Sequence, residues 1–189
     1  MSAAAIFAMW AIMMTAMMLP GAAPTIFRHA DALRRVLFTF GYLVIWIGFS
    51  VAAAVLYSIL DSAELLSQSM ALRSSISAGI VVIAVGLYQL SPWKQRFLLR
   101  CRAPATNGQR PSALSVLVQG LRYGLSCLGC CWALMALLFV AGVMSYVWMV
   151  AIALWIIAEK LLPSGARMAR FAAVGLIGWG GVILALVPL

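Results

Sequence analysis

The chain has 189 residues, of which 66% are hydrophobic and only 9% charged, with a formal net charge of +9. Water-soluble domains carry about 25% charged residues, so a chain this apolar could not cover its surface with polar groups, and a soluble enzyme or nucleic-acid-binding domain is excluded. The basic excess, which in a soluble protein would suggest a nucleic-acid partner, is instead the positive-inside bias of an integral membrane protein whose partner is the lipid bilayer.

A bilayer core about 30 Å thick needs roughly 20 helical residues. The start, "MSAAAIFAMW", has no basic n-region and no cleavage site, so it reads as the beginning of a span rather than a removed signal peptide. Six spans are expected, at about 2–19, 36–60, 75–90, 123–144, 145–162 and 171–189. Pro20, with Gly21 and Pro24 beyond it, should stop the first span. Ser91-Pro92 ends the third, and Pro163-Ser164-Gly165 the fifth. The fourth and fifth spans have almost no loop between them. Read as one helix at 1.5 Å per residue they would be about 60 Å long, twice the bilayer core, so a tight hairpin near Ser145 is expected. The fold expected is an all-α bundle of about six transmembrane helices forming one domain over residues 1–189. In the longest connection, "WKQRFLLRCR" alternates basic and apolar residues, as for a segment along the membrane surface. "APATNGQRPS" reads as flexible loop.

Charge sets the orientation. Arg28, Arg34 and Arg35 follow the first span. Lys94, Arg96, Arg100, Arg102, Arg110 and Arg122 follow the third, and Lys160, Arg167 and Arg170 the fifth. These hold 12 of the 13 basic residues and fall on one side of a six-span chain; Arg73 alone lies opposite. That side is expected to be cytoplasmic, with both termini outside.

This topology collects unusual chemistry at one depth. Met13, Met14, Met17 and Met18 lie near the inner end of the first span. Cys127, Cys130 and Cys131, in "SCLGCCW", lie near the start of the fourth. Tyr88 and Gln89 end the third, and Glu159 ends the fifth. All fall within roughly the inner 10 Å of the membrane at the helical rise. Cys127 can share one ion with Cys131 (i, i+4) or with Cys130 (i, i+3). Cys130 and Cys131 diverge by about 100°, so three on one ion would be strained. Met9, Met13 and Met17 form an i, i+4, i+8 stripe. Thiolate and thioether donors suit a soft ion, Cu(I) first. Zinc, the alternative ion, wants four nitrogen or sulfur ligands. The same residues also serve packing. Gly120 with Gly124, and Ser126 with Cys130, are small-xxx-small pairs that let helices approach, and methionine fills cores. Glu159 beside Lys160 reads equally as an interfacial charge that snorkels or pairs. Cys101 reads as a spare thiol, and His29, in a loop beside Arg28, is not expected to be a ligand.

Four blocks, "MWAIMMTAMMLPGAAP", "YQLSPWKQRFLLRCRAP", "GLSCLGCCWALMALLFVAGVMS" and "EKLLPSG", run in order through nearly the whole chain. Together they resemble a bacterial family of uncharacterised, predicted metal-binding integral membrane proteins. The resemblance implies metal binding without naming an ion. It marks Met13, Met14, Met17, Met18 and Pro20, then Tyr88, Gln89, Pro92, Cys101 and Arg102, and finally Cys127, Cys130, Cys131, Trp132, Glu159 and Lys160.

The leading expectation is therefore a bacterial inner-membrane protein that handles copper near its cytoplasmic face. Its ligands would come from Cys127, Cys130, Cys131, Met13, Met14, Met17 and Glu159, with Gln89 and Tyr88 behind them. Its partner would be a membrane or periplasmic protein or a second copy of the chain. Two rivals stand beside it. One is a membrane thiol-disulfide oxidoreductase working with a quinone, because a CxxC pair at a helix start favours thiolate. A reducing cytoplasmic side disfavours it. The other is a structural subunit of a membrane complex, with the cysteines as packing residues.

Overall fold

The computed structural model describes residues 2–29, 31–67, 72–102, 112–143 and 145–186, and these fold into helices with no strand among them, only an isolated bridge between Leu66 and Leu72. The helices are α1 (Ala3–Ile26), α2 (Ala32–Ser62), α3 (Ser75–Leu90), α4 (Pro92–Arg102), α5 (Ala113–Ala136), α6 (Leu138–Ala141), α7 (Tyr146–Leu161) and α8 (Gly165–Ala185). Four are long and apolar enough to cross a membrane: α1, α2, α5 continued by α6, and α8. A fifth is added if α3 and α4, which meet at a 61° bend, count as one broken span. The six spans expected from the sequence are thus four to five by length and apolarity, because α7 and α3 have only 16 residues each, below the roughly 20 that a full crossing needs.

The boundaries differ where local signals met tertiary context. The first helix does not stop at Pro20; it runs through Pro20 and Pro24 to Ile26. Each proline forfeits one i→i−4 bond, but helices packed among others tolerate that loss, and Gly21 and Ala22 between the prolines are buried against the bundle. Helix α5 begins ten residues before the expected span, at Ala113, where the Ser112 side chain accepts from the Ser115 N–H at 3.3 Å. Helix α3 keeps its expected limits because Ser91 leaves the helical region at the Ser91-Pro92 step. The turn between α6 and α7 is made by Gly142 at φ 90°, a conformation that L side chains avoid. Residues 103–111, with Arg110, and the expected span ends at Met144 and Leu189 lie outside the described residues.

Helix α5 is the centre: with α6 it has 61% of its most apolar stretch buried, against 33% or less for α1, α2 and α8. Helices α2 and α4 pack on α5, α1 on α2 and α7, and α3 on α8. The α2–α5 contact is close because Gly41 and Gly120 meet backbone to backbone. A Cβ on Gly120 would run into the Phe38 carbonyl, and one on Gly124 would lie 3.2 Å from that of Tyr42. The small-xxx-small packing expected at Gly120 and Gly124 is therefore present. At the other end of the bundle, just before α3, the Leu72 N–H donates to the Phe139 carbonyl of α6 at 2.7 Å, and Trp10 stacks on Phe139.

Polarity is reversed relative to a water-soluble fold. Val147, Phe171, Val174 and Leu186 are 70–79% exposed, whereas Ser50, Gln89, Lys94, Glu159 and Lys160 are buried.

Candidate metal site

The three cysteines of α5 are buried, and each is held by a different element. Cys127 Sγ accepts from the Lys160 ammonium of α7 at 2.7 Å and lies 3.3 Å from the Tyr42 hydroxyl of α2, which donates to the Met18 carbonyl. Cys130 Sγ lies 3.9 Å from Cys101 Sγ of α4. Cys131 Sγ lies 4.0 Å from Met18 Sδ of α1. The thiols of Cys130 and Cys131 both donate back to the Cys127 carbonyl, at 3.1 and 2.9 Å. Helical side chains lean toward the N-terminus, so all three sulfurs gather around the first turn of the motif. The 100° divergence of adjacent positions still sends Cys130 toward α4 and Cys131 toward α1.

These spacings suit paired donors. A metal–sulfur bond of about 2.3 Å puts two sulfurs on one ion roughly 3.8 Å apart in a tetrahedral arrangement and roughly 4.6 Å apart in a linear one. Cys101–Cys130 and Cys131–Met18 lie within that interval. Among the described residues, no group of three or more His, Cys, Asp and Glu side chains is disposed to hold one ion. The described sulfurs therefore approach one another in twos.

A second polar knot lies beside the first. The Lys94 ammonium of α4 pairs with Glu159 of α7 at 2.6 Å and donates to Gln89 Oε1. Trp155 Nε1–H donates to the other Glu159 oxygen at 2.9 Å. Gln89 Nε2 has no partner among the described residues. Tyr88 donates to the Gly129 carbonyl, between Cys127 and Cys130, and its ring meets Trp132 edge-on at 5.1 Å. Tyr88 and Gln89 thus both face the neighbourhood of the motif, Tyr88 through the backbone and Gln89 through Lys94.

The expected ligands are distributed as follows. Cys127, Cys130 and Cys131 come together. Met13 and Met17 line a groove of about 430 Å³ between α1 and α7, opposite Met149. Met14 is fully buried on the adjacent stripe, one turn from Met18, the methionine that reaches a cysteine. The Glu159 carboxylate is occupied by Lys94 and Trp155. His29 packs on Phe38 at 5.0 Å, and its imidazole is held below its usual pKa by partial burial and by Arg34 and Arg35.

Reading the residues alone missed four participants, of which the resemblance had marked two, Cys101 and Lys160. Cys101, read as a spare thiol, folds back to the cluster. Lys94 and Lys160, counted among the loop cations, are buried inside helices with 1% and 7% exposure. Tyr42 carried no signal at all. For α4 the signal was present: Lys94, Leu98 and Cys101, its buried residues, stand at i, i+4 and i+7, one helical face. The segment is thus a helix docked on α5 by that face.

No curated protein and no solved structure matches the chain. The four sequence blocks pointed to a metal-related family, and the family found is one, though its description is narrower than "predicted metal-binding". The matching family model, PpoB2, is described as a copper chaperone and covers residues 7–183, and the chain belongs to that family.

Proposed function

We propose that the protein is an integral membrane copper chaperone of the bacterial inner membrane, one membrane domain in which the short helices α3 and α7 also cross, so that its basic loops are cytoplasmic and its termini outside. It takes up Cu(I) through the thiolates of Cys127, Cys130 and Cys131 and passes the ion to a partner protein. The observation that carries this reading is the set of two sulfur pairs, Cys101–Cys130 and Cys131–Met18, beside the buried Lys160 ammonium on Cys127. Met14 backs Met18. Met13 and Met17 offer further thioethers along the α1–α7 groove, a soft-donor route away from the thiols. Glu159 acts by holding Lys94 and so fixing α4 against α7, with Gln89 and Tyr88 orienting that end. The apolar exterior supports the membrane setting, since such a surface suits lipid rather than water.

Lys160 supports copper over zinc by charge. Binding exchanges thiol protons for the metal. A monovalent ion held at any moment by two of these thiolates, Cys127 being one, leaves one negative charge, which the Lys160 ammonium on Cys127 cancels. A divalent ion on the same pair would leave the ammonium uncompensated in a low-dielectric interior, which is costly. Zinc would also lack the four ligands it prefers.

The test is metal content of the full chain, purified anaerobically in detergent and loaded with Cu(I) or Zn(II). The expected result is near-stoichiometric Cu(I) in wild type that is lost in Cys127→Ser/Cys130→Ser/Cys131→Ser. Absence of copper from an intact wild-type protein would overturn the reading, and preferential retention of zinc would overturn the choice of ion.

A further inference from the structure

A chamber of about 290 Å³ opens where the ends of α1, α4 and α7 meet. Its lining includes three cationic side chains, Arg28, Arg102 and Lys160, and no carboxylate among the described residues. Arg28 is exposed. Arg102 donates to the Glu159, Leu162 and Pro163 carbonyls, and its buried Nε has no partner among the described residues. Lys160 spans from the chamber wall to Cys127 Sγ. Of the described cysteines, Cys101 alone lines the chamber, with Tyr123 and Thr25 beside it. Cys101 is 7% exposed, against 3% or less for Cys127, Cys130 and Cys131.

We propose that this chamber is the docking pocket of a small anionic Cu(I)–thiolate complex and that Cys101 is the thiol that first receives the ion. The proposal rests on the copper reading above and adds to it the class of donor and the point of transfer. A Cu(I) ion bound by two small thiolates carries a net negative charge, which three cations at a concave mouth attract and concentrate. The chamber's size suits a small molecule. Transfer is ligand exchange at constant oxidation state. Cys101 Sγ bonds to copper as one carrier thiolate leaves, and the Cys101 proton goes to that thiolate. Cys130, 3.9 Å away, then displaces the second carrier thiolate in the same way, with its proton leaving on the carrier. One Cu(I)–dithiolate has been exchanged for another, and two carrier thiols are released. The ion then moves inward by a third exchange: Cys127 Sγ, beside Lys160, bonds to copper as Cys101 Sγ leaves, and the Cys127 proton returns to Cys101.

The experiment follows Cu(I) uptake by the full chain in detergent from two carriers, the anionic mercaptosuccinate complex and the cationic cysteamine complex. Metal is measured after rapid desalting at successive times. Arg28→Glu is expected to slow uptake from mercaptosuccinate by about tenfold or more and to leave uptake from cysteamine no slower than in wild type. Cys101→Ser is expected to slow the initial rate of uptake from both carriers by about tenfold or more. Wild-type rates in either variant would overturn the proposal and leave the copper site standing. A lower final copper content in Cys101→Ser with an unchanged initial rate would make Cys101 a storage ligand only and overturn its role as the receiving thiol. Failure of the wild-type protein to take copper from either carrier would overturn the copper reading itself.

Discussion

Replacing Glu159 by Leu isolates the ion pair that ties α4 to α7. Lys94 and Glu159 are 1% and 3% exposed at their side chains and 2.6 Å apart, so the remaining ammonium would be buried without a counter-charge. Breaking a buried pair from one side costs about 3–5 kcal/mol. Gln89 still accepts from Lys94 in the variant, which puts the expected loss at the low end, about 3 kcal/mol. At 1.4 kcal/mol per power of ten this is roughly a hundredfold in the folding equilibrium. In Lys94→Met/Glu159→Gln the charge is gone and the glutamine can still accept from Trp155, so at least half of the loss should return. The assay is equilibrium unfolding in mixed micelles, driven by added SDS and followed by helical circular dichroism. The reasoning is refuted if Glu159→Leu unfolds within about 1 kcal/mol of wild type, since a pair this buried cannot be lost so cheaply. It is equally refuted if the double variant is no more stable than the single one.

Three further outcomes are expected. Lys160→Met should narrow the preference for Cu(I) over Zn(II), measured by competition with chelators, by at least about tenfold. A unit charge about 4 Å from the site is worth about 4 kcal/mol at an effective dielectric of 20; an unchanged ratio would remove Lys160 from ion selection. Gly120→Ala should cost about 1–3 kcal/mol, because the new methyl meets the Phe38 carbonyl, which cannot rotate away. Gly48→Ala, with nothing within 4 Å of the new atom, should be neutral or slightly stabilising, and equal effects in the same unfolding assay would contradict the close α2–α5 approach. Gly142→Ala should cost about 1–2 kcal/mol from the backbone conformation alone, with copper binding retained; no loss of stability would argue against the φ of 90° at the α6–α7 turn.

The proposed copper site shows where reading the chain succeeds and where it stops. Some neighbours were legible: Gln89 and Glu159, placed at one level by counting along apolar runs, meet through Lys94, and Met18 reaches Cys131. Direction was not. The i, i+4, i+8 rule selected Met9, Met13 and Met17, but the fully buried stripe is the neighbouring one through Trp10, Met14 and Met18. The two stripes are one residue apart, and only the partner helices choose between them. The prolines of α1 misled for a similar reason. Their local chemistry says stop, and α7, whose Ile157 and Lys160 lie beside Gly21, packs where the helix continues.

The sequence by itself determined that the chain is helical and apolar, where its turns fall near Pro92, Ser145 and Pro163, and that soft sulfur donors cluster in its fourth apolar run. These are properties of short windows, fixed by composition and helical period. Only the tertiary structure decided that Lys160 points at Cys127 rather than at the surface, that Lys94 rather than Lys160 neutralises Glu159, and that Cys101 returns to Cys130 from 29 positions away. Those pairings depend on how each helix is rotated about its axis and on the close passage of α2 over Gly120. Rotation is set by packing between segments distant in sequence, where a buried charge must find its partner or cost several kcal/mol.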